Sequence, residues 1–240
     1  MGVLGDRLIV DGVGYRLRSD GSAVADLIGR LESGELPGAI VATGAVTPAD
    51  LIAALAHDAL GDDAALGLPL VQAPPRRPRL ARALSEPAWA AVFPGAASRS
   101  RRALAAGLLQ LGDFWDASHE AAQQADDQGE RDYSAYWHGL AHRREPDPGN
   151  AAYWFRRVGR HPVFAPLAAA ARPLLDEHGD SALAGRLISG GTWNAMAMID
   201  LCTEARPDTP RETLARRLQR LEMWLLLEAT YAGLAALAPK

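Results

Sequence analysis

Residues 113–162 read DFWDASHEAAQQADDQGERDYSAYWHGLAHRREPDPGNAAYWFRRVGRHP and hold most of the chain's unusual side chains. Four of the six histidines and three of the six tryptophans lie in this stretch. On both sides the sequence is mostly Ala, Leu, Arg and Pro, a composition typical of helices. We therefore expect the fold and any functional site to be organised around these residues.

Apolar periodicity predicts that the chain from residue 81 onward is a set of helices. Leu104, Leu108, Leu111 and Trp115 share one stripe, which predicts a single helix from Ser100 to about residue 126. A second helix should cover 132–144 and end before two prolines, since proline cannot continue a helix. Further helices are predicted over 150–158 with Asn150 as cap, 162–177, 181–188, 193–202, and from the capping box at Thr209 to about residue 236.

The first 72 residues mix strand and helix signals. Leu8 and Val10 alternate with polar residues before Asp11-Gly12, which is the pattern of a β-hairpin. Helical spacing predicts a helix over 22–31, and Thr47 followed by Pro48 predicts the start of another. Between these helices, the apolar run GAIVATG is compatible with one buried strand.

These signals predict a mainly α protein. Its main domain, residues 81–240, is expected to be all-α and helical bundle-like. Residues 1–72 would form a small α+β N-terminal segment. Prolines and arginines in residues 73–80 indicate an extended junction between the two parts.

Composition narrows the function classes. A net charge of -4 and a pI of about 5.9 argue against nucleic acid as an obligatory partner. The single cysteine, Cys202, excludes a disulfide framework within one chain and fits a reducing compartment. We see no signal peptide and no apolar run long enough to span a membrane, so we expect a cytoplasmic protein without a membrane partner. The sequence leaves open whether the protein forms a homodimer.

Histidine spacing points to a metal site between two helices. His138 and His142 are four residues apart, so both imidazoles lie on one helix face. His119 lies on the preceding helix, which short connections should make an antiparallel neighbour. These three histidines are the predicted ligands of a divalent metal, either Zn or Fe/Mn. Glu120 and Glu145 are the candidate fourth ligand or general base that activates a metal-bound water.

Arginines around the histidines suggest a small anionic ligand. Guanidinium groups bind carboxylate or phosphate with two parallel hydrogen bonds, and Arg144 and Arg156 are the candidates for this role. Arg143 and Arg157 are instead expected to pair internally with Glu145 and Asp147. Tyr136 and Trp137 would form the wall of the pocket.

Two hypotheses of different classes follow, beside a third possibility, an arginine-rich module that binds anions without a metal. The first is a metal-dependent enzyme acting on a small anionic molecule. The second is a non-catalytic binding or scaffold protein, because His, Tyr and Trp combine an apolar body with a polar tip and can form a hydrogen-bonded core. The spacing His-x-x-x-His also occurs on helices without a metal, and Gly139 stands where a zinc-protease motif would need Glu.

A resemblance covers about 50 residues of the chain. The segments SHEAAQ (118–123) and YWHGLAHRREPDPGNAAYWFRRVGRHP (136–162) resemble a family of uncharacterised proteins. That family shares the motif YWH-x-x-x-HRREPD-x-x-NA-x-YWFRRVG-x-HP. Because no activity is established for it, the resemblance implies no mechanism and no cofactor.

Overall fold

A computed structural model describes residues 7–10, 13–16, 21–61 and 65–236, and it confirms a mainly α, helical bundle-like protein. In these ranges there are thirteen α-helices and two small antiparallel sheets. The elements are β1 Arg7–Val10, β2 Val13–Arg16, α1 Gly21–Glu32, α2 Pro37–Ala42, α3 Pro48–Leu60, α4 Ala81–Leu84, α5 Glu86–Trp89, α6 Ser98–Leu111, α7 Trp115–Asp127, α8 Ser134–Arg144, α9 Pro148–Val158, α10 Phe164–His178, α11 Ser181–Leu187, β3 Ile188–Ser189, β4 Thr192–Trp193, α12 Ala195–Glu204 and α13 Pro210–Ala235.

The N-terminal predictions are confirmed except for one element. Strands β1 and β2 pair antiparallel as expected, while the predicted turn residues Asp11 and Gly12 lie outside the described residues. The buried strand predicted over GAIVATG is wrong, because Pro37–Ala42 is helix α2. Proline at the first helical position presets the helical φ, and a short apolar run bounded by glycines fits either structure.

The single helix predicted from Ser100 to about residue 126 is also wrong. The helix is interrupted between α6 and α7, where Asp113 has a φ of 60°. In this turn the Asp113 carboxylate accepts a hydrogen bond of 2.5 Å from Nη2 of Arg144, and both side chains are buried. The backbone closes the helix here, since the N–H of Phe114 donates to the carbonyl of Leu109, and the ion pair with Arg144 adds a tertiary contact to this turn.

Two helix starts differ in detail from the prediction. Helix α9 is capped by Asp147, whose side chain accepts from the backbone N–H of Asn150, so the assignment of Asn150 as cap is wrong. At α13 the Thr209 hydroxyl accepts from the Glu212 N–H as predicted, but the Glu212 carboxylate accepts from the N–H of Asp208. The hairpin β3–β4 was not predicted; Gly190 and Gly191 turn it with positive φ.

Helix α8 lies at the centre of the bundle. It packs against α6, α7 and α9, and all eleven of its residues are buried. One continuous core of buried apolar side chains extends from Leu27 on α1 to Leu234 on α13. The domain boundary at residues 73–80 stays a prediction. Among the helices of the described residues, none is long and apolar enough to cross a membrane.

Candidate metal centre

The three predicted metal ligands meet in space. His119 comes from α7, and His138 and His142 lie one turn apart on α8. One ligand nitrogen of each lies within 4.8 Å of the others, a separation at which these side chains could hold a metal ion. The His119 ring lies 4.3 Å from that of His138 and 5.0 Å from that of His142 between centroids, edge-on to both.

Two tryptophans hold the imidazoles in place. Trp154 of α9 stacks on His138 with a centroid distance of 3.8 Å and an interplanar angle of 15°. Trp115 stacks on His119 at 5.1 Å, and its indole N–H donates to the carbonyl of Ala141 at 2.8 Å. These contacts restrict the rotamers of the two histidines before any ligand arrives.

Burial keeps the inner histidine neutral. His138 is 1% exposed, and desolvation, followed by repulsion from His119 and His142, lowers its pKa to about 3. Burial also lowers the pKa of His119. Neutral imidazole is the form that binds metals. Within the described part of the chain, Nδ1 of His138 has no hydrogen-bond partner, although it is shielded from solvent.

The two candidate carboxylates differ in position. Glu145 directly follows α8, and its Oε2 lies 2.8 Å from Nδ1 of His142. Glu120 is exposed on α7 and accepts a hydrogen bond from Gln124 at 2.8 Å. Adjacent helical residues point about 100° apart, which is why the neighbour of His119 is not brought to the cluster. Asp147 forms a second group with His142 and Glu145, again within 4.8 Å.

The candidate substrate-binding arginines are not brought to the histidines. Arg144 is fully buried, where it pairs with Asp113 and donates to the backbone carbonyls of Pro69 and Gln110. The guanidinium of Arg144 is therefore shielded from solvent and already paired, so it does not bind an anion from solvent. Arg156 is exposed on α9, two residues from Trp154, and residues two apart on a helix face different directions.

Arg143 and Arg157 pair internally, but with partners other than the predicted Glu145 and Asp147. Arg143 lies 2.6 Å from the Glu222 carboxylate of α13, with both side chains buried. Arg157 binds Asp126 at 2.9 Å and lies over the Trp154 ring, 5.0 Å from its centroid.

Tyr136 and Trp137 belong to the core. Both have essentially no exposed surface. The Tyr136 hydroxyl donates to Glu222 at 2.9 Å, and the Trp137 indole N–H donates to the Thr230 hydroxyl at 3.1 Å. The aromatic side chains beside the histidines are instead Trp115 and Trp154, whose roles the sequence did not indicate. The spacing of Trp115 and His119, four residues apart on one helix, was the available signal.

Comparisons with protein-family models, curated proteins and solved structures find no match to this chain.

Proposed function

We propose that His119, His138 and His142 bind a divalent metal ion and that the protein is a metal-dependent enzyme. The observation that carries this proposal is the convergence of three imidazoles, with one buried nitrogen of His138 lacking a partner among the described residues. An unsatisfied buried polar group costs about 1–3 kcal/mol. A bond from a metal ion to an imidazole nitrogen of this cluster would remove a cost of this kind.

The donor set favours Zn²⁺ over iron or manganese. Three neutral imidazoles suit zinc, whereas non-haem iron sites combine two histidines with a carboxylate ligand. Zn–N bonds of about 2.0–2.1 Å at tetrahedral angles place ligand nitrogens about 3.3 Å apart. The ligand nitrogens lie within 4.8 Å of one another, so small side-chain rotations would bring them to that spacing.

Three protein ligands leave a fourth position for water. A zinc ion held by these three residues would lower the pKa of a bound water to about 7 and so would supply a nucleophile at neutral pH. We propose a small anionic substrate for this reaction. Its support is Arg157, which pairs with Asp126 but keeps a 34% exposed side chain, and whose guanidinium lies over Trp154. The single cysteine agrees with a cytoplasmic location.

Metal analysis of protein purified without a histidine tag tests the metal centre. We expect about one zinc per chain in the wild type and none in the double variant His138→Ala/His142→Ala. The matched control is His57→Ala/His178→Ala, which removes two half-buried histidines outside the cluster. Wild-type protein that stays metal-free after dialysis against zinc would overturn the proposal.

Turnover of nitrophenyl esters and phosphates tests the substrate class. Arg157→Ala should raise KM for the anionic phosphates more than for neutral esters, because it removes a positive charge over Trp154, the ring that stacks on His138. Equal effects on both classes would show that Arg157 does not select an anion.

The alternative is a scaffold whose histidines only pack the core. The stacking of His138 on Trp154 favours it, since such a contact stabilises the fold without a metal. In that case His138→Ala lowers stability, and zinc does not raise the Tm of the wild type.

A further inference from the structure

Glu145 fixes which nitrogen of His142 carries the proton. Its Oε2 lies 2.8 Å from Nδ1 of His142. An ionised carboxylate can only accept hydrogen bonds, so Nδ1 must be the donor. The lone pair of the neutral ring is then on Nε2, on the opposite side of the imidazole from Glu145.

The backbone on both sides of Glu145 is anchored. Its N–H donates to the carbonyl of Ala141 at the end of α8. The preceding residue, Arg144, is fully buried and its carbonyl accepts from the N–H of Gln72 at 2.8 Å. The N–H of Asp147 returns to the carbonyl of His142 at 3.0 Å. The Cα of Glu145 is therefore fixed one turn from His142, and the carboxylate, whose side chain is 35% exposed, reaches the imidazole from there.

We propose that Glu145 is a positioning residue that holds His142 as the Nδ1–H tautomer and so leaves Nε2 as the nitrogen that binds the metal. This inference rests on the proposed metal centre and gives Glu145 a role other than fourth ligand or general base. A carboxylate behind a ligating histidine fixes the ring orientation and raises its basicity as a ligand. Removal of such a partner typically weakens metal binding about 10–100-fold.

The experiment compares wild type with Glu145→Ala, Glu145→Gln and the control Glu204→Ala. Glu204 is a carboxylate on α12 whose side chain is 52% exposed and pairs with Arg211, so its removal controls for the loss of one surface charge. Long-range ¹H–¹⁵N spectra of the histidine rings in metal-free protein report the tautomer of His142. Competition with a chromophoric chelator gives the zinc Kd.

We expect the Nδ1–H tautomer in the wild type and its loss in Glu145→Ala, with a zinc Kd raised about 10–100-fold. Glu145→Gln should give a mixture of tautomers, because the amide oxygen accepts from Nδ1–H while the amide nitrogen can donate to a bare Nδ1, and its zinc affinity should lie between the other two. Glu204→Ala should match the wild type in both measurements.

An unchanged tautomer in Glu145→Ala, or a zinc Kd within twofold of the wild type, overturns the positioning role. If the wild type binds no zinc, the proposed enzyme function fails instead. The tautomer in metal-free protein then still decides whether Glu145 orients His142, so the two failures are distinguishable.

Discussion

Helix α8 is joined to α13 by a buried ion pair, and we predict that Arg143→Met destabilises the protein strongly. Arg143 lies 2.6 Å from the Glu222 carboxylate, and the two side chains are 1% and 0% exposed. Without the arginine, the carboxylate stays buried with the hydroxyl of Tyr136 as a donor at 2.9 Å. One neutral donor cannot replace the lost positive charge.

The expected loss is about 3–5 kcal/mol, the range found when one partner of a buried pair is removed. Against a total stability of about 5–15 kcal/mol for a domain, this loss is a large fraction of the free energy of unfolding. The double variant Arg143→Met/Glu222→Gln should recover most of the loss. It contains no buried charge at either position, and the Gln side chain still accepts from Tyr136.

Urea unfolding of the wild type, both single variants and the double variant measures the coupling free energy. We expect each single variant to lose about 3–5 kcal/mol and the double variant to lie within about 2 kcal/mol of the wild type. Additive losses, or a loss below about 1 kcal/mol in Arg143→Met, would refute the reasoning, since the pair would then contribute no more than an exposed one.

Three further predictions concern the interior. Desolvation raises the pKa of Glu228 from 4.5 to about 8, so the folded state favours the protonated carboxyl. The stability that this provides is lost as the pH rises from 4.5 to about 8. In urea titrations, the unfolding free energy of the wild type minus that of Glu228→Gln should therefore fall from about pH 5 to about pH 8. Gly107→Ala should cost about 1–3 kcal/mol in the same assay, because its Cβ would lie 2.6 Å from the buried Trp137 ring. Burial raises the pKa of the Cys202 thiol to about 11, so native protein should react with a disulfide reagent at pH 8 at least about tenfold more slowly than unfolded protein.

Local signals predicted the helices, because periodicity and caps are properties of neighbouring residues. Thr47 and Thr209 cap their helices as expected. The break at Asp113 had a local signal that the prediction missed, because Gly112 and Asp113 are residue types that end helices and Asp113 takes a φ of 60°. Only the contact of Asp113 with Arg144, thirty-one residues away, has no local signal. The run at 38–44 was interpreted as a buried strand, and the preceding proline, which favours the first helical position, was the cue for a helix.

The sequence spacing also predicted that the three histidines lie close together. His138 and His142 share a helix face, and a short connection brings α7 alongside. The roles of the arginines could not be predicted in this way. Arg144 and Arg156 have similar sequence neighbours, yet one is fully buried and the other is exposed. The side of a helix that faces the core depends on how the whole bundle packs. Where polar residues surround the helix, the sequence has no apolar stripe that would identify this side.

The burial of α8 on all sides explains why its consecutive polar residues have unrelated partners. Successive side chains turn by about 100° around a helix axis, so His142, Arg143 and Arg144 point toward three different neighbours. These are the histidine of α7, the carboxylate of Glu222 on α13 and that of Asp113 after α6. Two buried ion pairs therefore fix the rotation of α8 about its own axis. The same rotation aims His138 and His142 at His119, so the charged residues that stabilise the bundle also set the geometry of the proposed metal centre.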